Sequence, residues 1–188
     1  MSRPYHHENL KNELLEHAIE NLSQHGLESL SLRALAAQCG VSHNAIYRHF
    51  PNKEALIDCC RHYVTAELTN HLEQTMADFS GSDRERMATL CQAYMQFYEK
   101  HPTYFSALFR NTTSTVCITL AEVPDNYPPF EIFRRVCVSM IQKGILSAEE
   151  GLFRLSHCWA TLHGLIALQI APNVTFALDS PMDWKTIF

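Results

Sequence analysis

No four-residue run in the chain alternates cleanly enough between apolar and β-branched residues to propose a strand, so a sheet has no place in the expected fold. The start, MSRPYHHENLKNELLEH, is polar throughout and lacks an apolar region before a small-residue cleavage site; the expectation is a protein kept in the cytoplasm. The seven cysteines, at 39, 59, 60, 91, 117, 137 and 158, show no repeated CxxC spacing. Odd in number and set mostly among apolar residues, they read as reduced core thiols rather than redox or metal chemistry. No metal and no cofactor are expected. Asp, Glu, Lys and Arg are missing from 155–178, the only stretch worth testing as a membrane span. His157, His163, Gln169, Pro172 and Asn173 interrupt it, whereas a span takes ~20 predominantly apolar residues. A helix buried on several sides accounts for it, and no membrane contact is expected.

What the chain does contain is helix signal along most of its 188 residues, in an ordinary globular composition of 46% hydrophobic and 19% charged residues. A first helix, 4–25, lines Leu10, Leu14, Ala18 and Leu22 along one face and stops at Gly26. Ser31 caps a second, 32–39, which buries Leu32, Leu35, Ala36 and Cys39 before Gly40 ends it. Ser42 caps a third running to His49, Pro51 breaks the chain, and Asn52 caps a long fourth from Lys53 towards Met76. Ser82 with Glu85 and Ser147 with Glu150 fit the capping box S-x-x-E, so long helices begin there. The first carries Leu90, Tyr94, Phe97 and Tyr98 and is broken by His101-Pro102; the short aromatic helix TYFSALF follows. A loop over 111–129, an amphipathic helix over 130–143 closed by Gly144, a helix over 152–171 and a turn at Ser180-Pro181 complete the expected course.

Three helices in about fifty residues, with a Gly-Val-Ser turn between the second and third, make a helix-turn-helix whose third helix would enter a major groove. Ile46 and Phe50, spaced i and i+4, lock that helix onto the Leu35 and Ala36 face. His43, Asn44, Ala45, Tyr47 and Arg48 then face outward. Asn bonds an adenine edge, Arg a guanine edge, and Ala touches a thymine methyl, while His and the Tyr hydroxyl reach phosphate or base edges. Lys53 adds positive charge at a helix N-terminus already suited to phosphate.

LRALAAQCGVSHNAIYRHFPNKEAL, residues 32–56, resembles the DNA-binding domain of TetR-family transcriptional regulators. The family's pattern is met by Leu35-Ala36, Gly40-Val41-Ser42, Ile46-Tyr47-Arg48-His49-Phe50 and Lys53-Glu54-Ala55-Leu56. The resemblance implies phosphate contacts at Ser31, Tyr47, His49 and Lys53 and base reading at Arg33, His43, Asn44 and Arg48; Ser42 and Ala45 complete the expected DNA-binding set. HPTYFSALF and WATLHGLIAL are similar to the C-terminal ligand domain of a subgroup named for a Trp-His-Gly signature, carried here by Trp159, His163 and Gly164.

The implied fold is all-α, with a helix-turn-helix domain over 1–52 joined by a long helix to a larger effector-binding and dimerisation domain within 53–188. The implied function is a repressor released from an inverted-repeat operator on double-stranded DNA by an apolar or aromatic small molecule. Tyr94, Phe97, Tyr98, Tyr104, Phe105, Phe109, Trp159 and His163 offer its walls. Phe133, Val136, Cys137, Met140 and Ile141, with Leu155, Leu162, Ile166 and Ile170, form two apolar stripes expected to meet a second copy in a homodimer.

The first sixty residues lack the usual basic footprint, holding five Lys and Arg against seven Asp and Glu. The acids lie mostly on the first helix and its following turn, whereas Arg33, Arg48 and Lys53 gather around the proposed recognition helix, so local sign outweighs the sum. Two other classes use the Cys and His supply. A metal- or oxidant-sensing regulator would draw on His6-His7 and the thiols; an enzyme would draw on Cys59-Cys60 with His62, but no nucleophile signature accompanies them.

Overall fold

The computed structural model of the protein describes residues 7–110, 116–175 and 183–186. Their regular elements are all helical: α1 (His7–Ser29), α2 (Leu32–Gln38), α3 (His43–Tyr47), α4 (Lys53–Ala77), α5 (Asp83–Lys100), α6 (Pro102–Phe105), a π-helical turn (Ser106–Arg110), α7 (Pro128–Gln142), α8 (Ala148–Gln169) and a 3-10 turn (Trp184–Thr186). The expected opening of the first helix at residue 4 and the turn at Ser180-Pro181 lie outside the described residues. No helix among the described residues is long and apolar enough to cross a membrane. The chain packs as two compact units, Met1–Val64 with Thr103–Thr113, and Thr65–Pro102 with Ser114–Phe188. The 52/53 division falls at the start of α4, whereas the units divide inside that helix.

In the first unit α1 buries Leu10, Leu14, Leu15, Ala18, Ile19 and Leu22, the three- and four-residue spacing of one helix face. Gly26, at φ 76°, kinks its backbone before the last turn to Ser29. Ser31 caps α2, its Oγ accepting from the Ala34 N–H at 3.4 Å. Gly40, at φ 67°, then takes the left-handed conformation that lets the Val41 N–H reach the Ala36 carbonyl at 2.9 Å and its own N–H reach Ala37 at 3.1 Å. This closes α2 and aims the chain into α3. Ser42 occupies the N-cap of α3 but makes no side-chain cap bond, so tertiary burial of Ile46 and Phe50 has to hold this five-residue helix. Asn52 caps α4 through the Ala55 N–H at 2.8 Å. Tyr104 and Phe105 of α6 and Ala107 and Leu108 of the π-helical turn are buried, and that turn packs on α1.

The second unit is built from the end of α4, α5, α7, α8 and the 3-10 turn, which packs on α5. Both expected capping boxes are present: Ser82 and Glu85 open α5, and Ser147 and Glu150 open α8. Prolines 128 and 129 start α7 two residues ahead of the expected 130, because the missing N–H of a proline costs nothing in a first helical turn. Lys143 Nζ and Ser139 Oγ both donate to Asp83 Oδ2, at 2.7 and 3.2 Å, tying the end of α7 to the start of α5. Gly151 gives α7 and α8 close approach; a Cβ there would lie 2.5 Å from Ile141 Cδ1.

One expectation is corrected by this packing. Phe133, Val136, Cys137, Met140, Leu155, Leu162 and Ile166 are buried within a single chain, and Ile141 and Ile170 are half-buried. The stripes of α7 and α8 are the core of their own unit, since α7 packs on both α5 and α8. The apolar side chains that α8 leaves exposed are Leu152, Phe153 and Leu168, joined there by Ala160, Gly164 and Ala167.

Candidate nucleic-acid interface

The short α3 divides cleanly. Ile46 and Phe50 are wholly buried with Leu35 and Ala36 of α2, and α2 packs on α3, so the inner side of the recognition helix has no freedom to turn. The outer side carries Ser42, His43, Asn44, Tyr47 and Arg48, all exposed within seven consecutive positions. Tyr47 is 42% exposed, and its ring lies 4.9 Å from that of His43, one helical turn earlier. Arg33 of α2 is exposed as well. Ala45, His49 and Lys53 are half-buried, and the His49 ring lies 6.1 Å from Phe50.

Two proposed phosphate contacts have other tasks in the protein alone. Ser31 Oγ caps α2, and Lys53 Nζ donates to the Glu28 carbonyl at 3.5 Å. Both are exposed bonds at the long end of the range, which a phosphate oxygen can replace. Glu13, Glu16 and Glu20, the acids behind the unfavourable local charge, are exposed on α1.

The eight aromatic and histidine side chains expected to face an effector fall into both units. Tyr104, Phe105 and Phe109 belong to the first, Tyr94, Phe97, Tyr98, Trp159 and His163 to the second. Within the second unit Tyr94 and His163 share a 2.9 Å hydrogen bond between the phenol oxygen and Nε2. The Trp159 ring lies 5.4 Å from Tyr94, 5.1 Å from Phe130, 5.7 Å from Phe133 and 4.8 Å from His163. These are packed rings of an interior. Burial lowers His163 to about 4, leaving a neutral imidazole at pH 7, and burial also holds the Tyr94, Tyr98 and Tyr127 phenols well above the usual range. The interior is polar in places but uncharged at these groups.

Cavities of about 630, 450 and 360 Å³ open elsewhere on the second unit. The 630 Å³ cavity runs along α8 beside Glu149, Phe153, Arg154 and His157. Among the described residues no three His, Cys, Asp or Glu side chains gather to hold a metal ion. Cys91 and Cys158 meet at 3.2 Å in the buried core, as a thiol pair among apolar neighbours. Reading the sequence missed the clamp on Glu16, described below, and the loop network in which buried Asn126 bonds both the N–H and the carbonyl of Cys117. Neither has a local signature: Glu16 lies 47 and 88 positions from its two partners, and Asn126 and Cys117, nine positions apart, are joined across an irregular loop with no regular spacing to announce the bond.

Comparison with known proteins agrees with this helical fold. Residues 14–59 match the profile described as bacterial regulatory proteins, tetR family, and residues 87–188 match that of a tetracyclin repressor-like C-terminal domain. An uncharacterised helix-turn-helix transcriptional regulator of Mycobacterium tuberculosis is 22% identical over 157 residues, covering 84% of this chain and 68% of the relative. The chain spans less than half the length of several other curated relatives. A Rhodococcus protein of unknown function superposes with a TM-score of 0.72 at 25% identity, over 99% of this chain and 93% of its own. The TetR-family regulator PfmR of Thermus thermophilus shares the fold, with a TM-score of 0.65 at 19% identity over 93% and 91%.

Proposed function

Because the chain belongs to the TetR family of bacterial regulatory proteins, and is therefore a DNA-binding transcriptional regulator, we propose that it represses transcription from an inverted-repeat operator and is released by a small molecule. The observation that carries the DNA-binding surface is the exposed row Ser42, His43, Asn44, Tyr47 and Arg48 on a helix immobilised by Ile46 and Phe50. Asn44 and Arg48 read base edges; Tyr47, His49, Ser31 and Lys53 position the protein on phosphates. Two copies pair through the exposed side of α8, where Leu152, Phe153 and Leu168 lie, and present two recognition helices about one turn of DNA, ~34 to 36 Å, or a multiple of it apart. The effector is apolar or aromatic and enters the second unit among Tyr94, Phe97, Tyr98, Trp159 and neutral His163, with the ring packing around Trp159 yielding to it. Trp159, His163 and Gly164 are the positions that carry the Trp-His-Gly resemblance. The working compartment is the cytoplasm.

Selection from random duplexes tests this reading. The wild-type protein should enrich an inverted repeat, and Asn44→Ala or Arg48→Ala should narrow the gap between the selected and random DNA by about 1 to 3 kcal/mol wherever the side chain makes a bidentate base contact. Enrichment of no sequence, or equal losses on both DNAs, would reject base reading by α3.

A further inference from the structure

One acid on α1 is engaged unlike its neighbours. Glu16 Oε1 accepts a hydrogen bond from the Tyr63 hydroxyl of α4 at 2.7 Å and another from the Tyr104 hydroxyl of α6 at 2.6 Å. The two phenol rings meet edge to face at 6.3 Å. Hydroxyl donors on a carboxylate make short bonds roughly twice as strong as neutral ones. The effect on Tyr104 agrees: burial first, and then the bond to Glu16, holds its phenol far above the usual range. One residue back, the Leu15 carbonyl faces the buried Cys60 thiol at 4.0 Å, so α1 and α4 are held together at adjacent points.

The position of this clamp in the chain gives it meaning. The chain leaves the first unit at Val64 and returns to it only with Thr103–Thr113, directly after α5. Tyr104 is the second residue of that return, and Phe105, Ala107 and Leu108 are buried behind it. From α1 the connection runs onward: Asn21 Nδ2 donates to Gln38 Oε1 of α2 at 3.0 Å, and α2 packs on α3. The covalent chain supplies the other end, because α5 carries Phe97 and Tyr98 and only His101 to Thr103 separate it from Tyr104.

We infer that Glu16 is a positioning residue for DNA recognition: by pinning the returning segment through Tyr104 and α4 through Tyr63, it sets the orientation of α1 to α3 without touching DNA itself. A carboxylate suits the task, since one anionic oxygen satisfies both hydroxyls. Glutamine keeps the shape and the acceptor but loses the charge; alanine removes the peg. Phenylalanine at Tyr104 removes one donor and keeps the ring.

Hydrogen exchange on the whole protein without DNA tests the mechanical part. Tyr104→Phe and Glu16→Ala should speed amide exchange in 104–108 and also in α3 by severalfold, with Glu16→Gln in between and the amides of α7 unchanged. Unaltered exchange in α3 would overturn the link. The functional part rests on the dimeric repressor reading and uses the selected inverted-repeat duplex beside the same duplex with one half-site scrambled. Tyr104→Phe and Glu16→Gln should lower the full-site over half-site affinity ratio at least fivefold while changing half-site affinity less than twofold. A merely destabilised protein would lose both equally, and a preserved ratio would overturn the positioning role. A wild-type protein with no preference for two half-sites would instead reject the dimeric reading, with the exchange result still deciding the link.

Discussion

Acidification should weaken the second unit through His163. In the unfolded chain its imidazole protonates near pH 6.5, whereas in the fold burial holds it at about 4. The folded state therefore binds fewer protons between those values, and stability falls as pH drops through that window. Above about pH 6.5 the contribution is constant. At about 1.4 kcal/mol per pH unit, the loss attributable to this side chain reaches about 2 kcal/mol at pH 5 and about 3 kcal/mol below pH 4, with its partial exposure trimming both. Trp159 and Trp184 both lie in the second unit, so urea unfolding followed by tryptophan fluorescence reports that unit. The comparison is wild type against His163→Gln, which keeps a polar partner for the Tyr94 hydroxyl but cannot titrate. The variant should lose about 2 kcal/mol less than wild type between pH 7 and pH 5, the other ten histidines cancelling in the difference. Parallel pH dependence would refute a desolvated His163.

Ile46→Ala should cost about 2 to 5 kcal/mol and abolish operator binding, because α3 has no side-chain cap and leans on this fully buried residue; thermal melting by circular dichroism measures it. On the proposed phosphate contact, Lys53→Ala should weaken operator and random DNA alike and lower the salt slope by about one unit, the long exposed bond to the Glu28 carbonyl adding little. Phe153→Glu, at a side chain 61% exposed on α8, should give a folded monomer by sedimentation. Ile166→Glu should instead unfold the unit, because an unpaired charge would be buried inside one chain at a cost of several kcal/mol. Alkylation at pH 8 should reach exposed Cys117 first and Cys60 and Cys137 slowly, burial having pushed these thiols up to about 12 and about 11.

Much of the architecture was legible because its signals are local. Ser82 with Glu85 and Ser147 with Glu150 satisfy helix-end N–H groups within one turn, so residues three apart announce the boundary and tertiary packing has little to add. Gly40 did the same for the turn into α3, since a left-handed backbone selects glycine wherever the rest of the chain goes. The exposed row on α3 followed from two apolar residues four apart, Ile46 and Phe50. Ser42 was the exception, a sound N-cap residue whose hydroxyl makes no cap bond in so short a helix.

The sequence alone thus determined that the chain is helical, where its main helices start and stop, and which side of α3 faces outward, because each is a matter of backbone satisfaction or spacing within a few residues. Tertiary structure decided the rest. On α8, apolar on nearly every side, spacing cannot say which stripe meets α5 and α7 and which meets solvent; packing placed Leu155, Leu162 and Ile166 inside and Leu152, Phe153 and Leu168 outside. It likewise returned Tyr104 to Glu16, 88 positions away, a pairing invisible in either residue's neighbourhood because hydrogen-bond partners at that separation are chosen by the fold of everything between them.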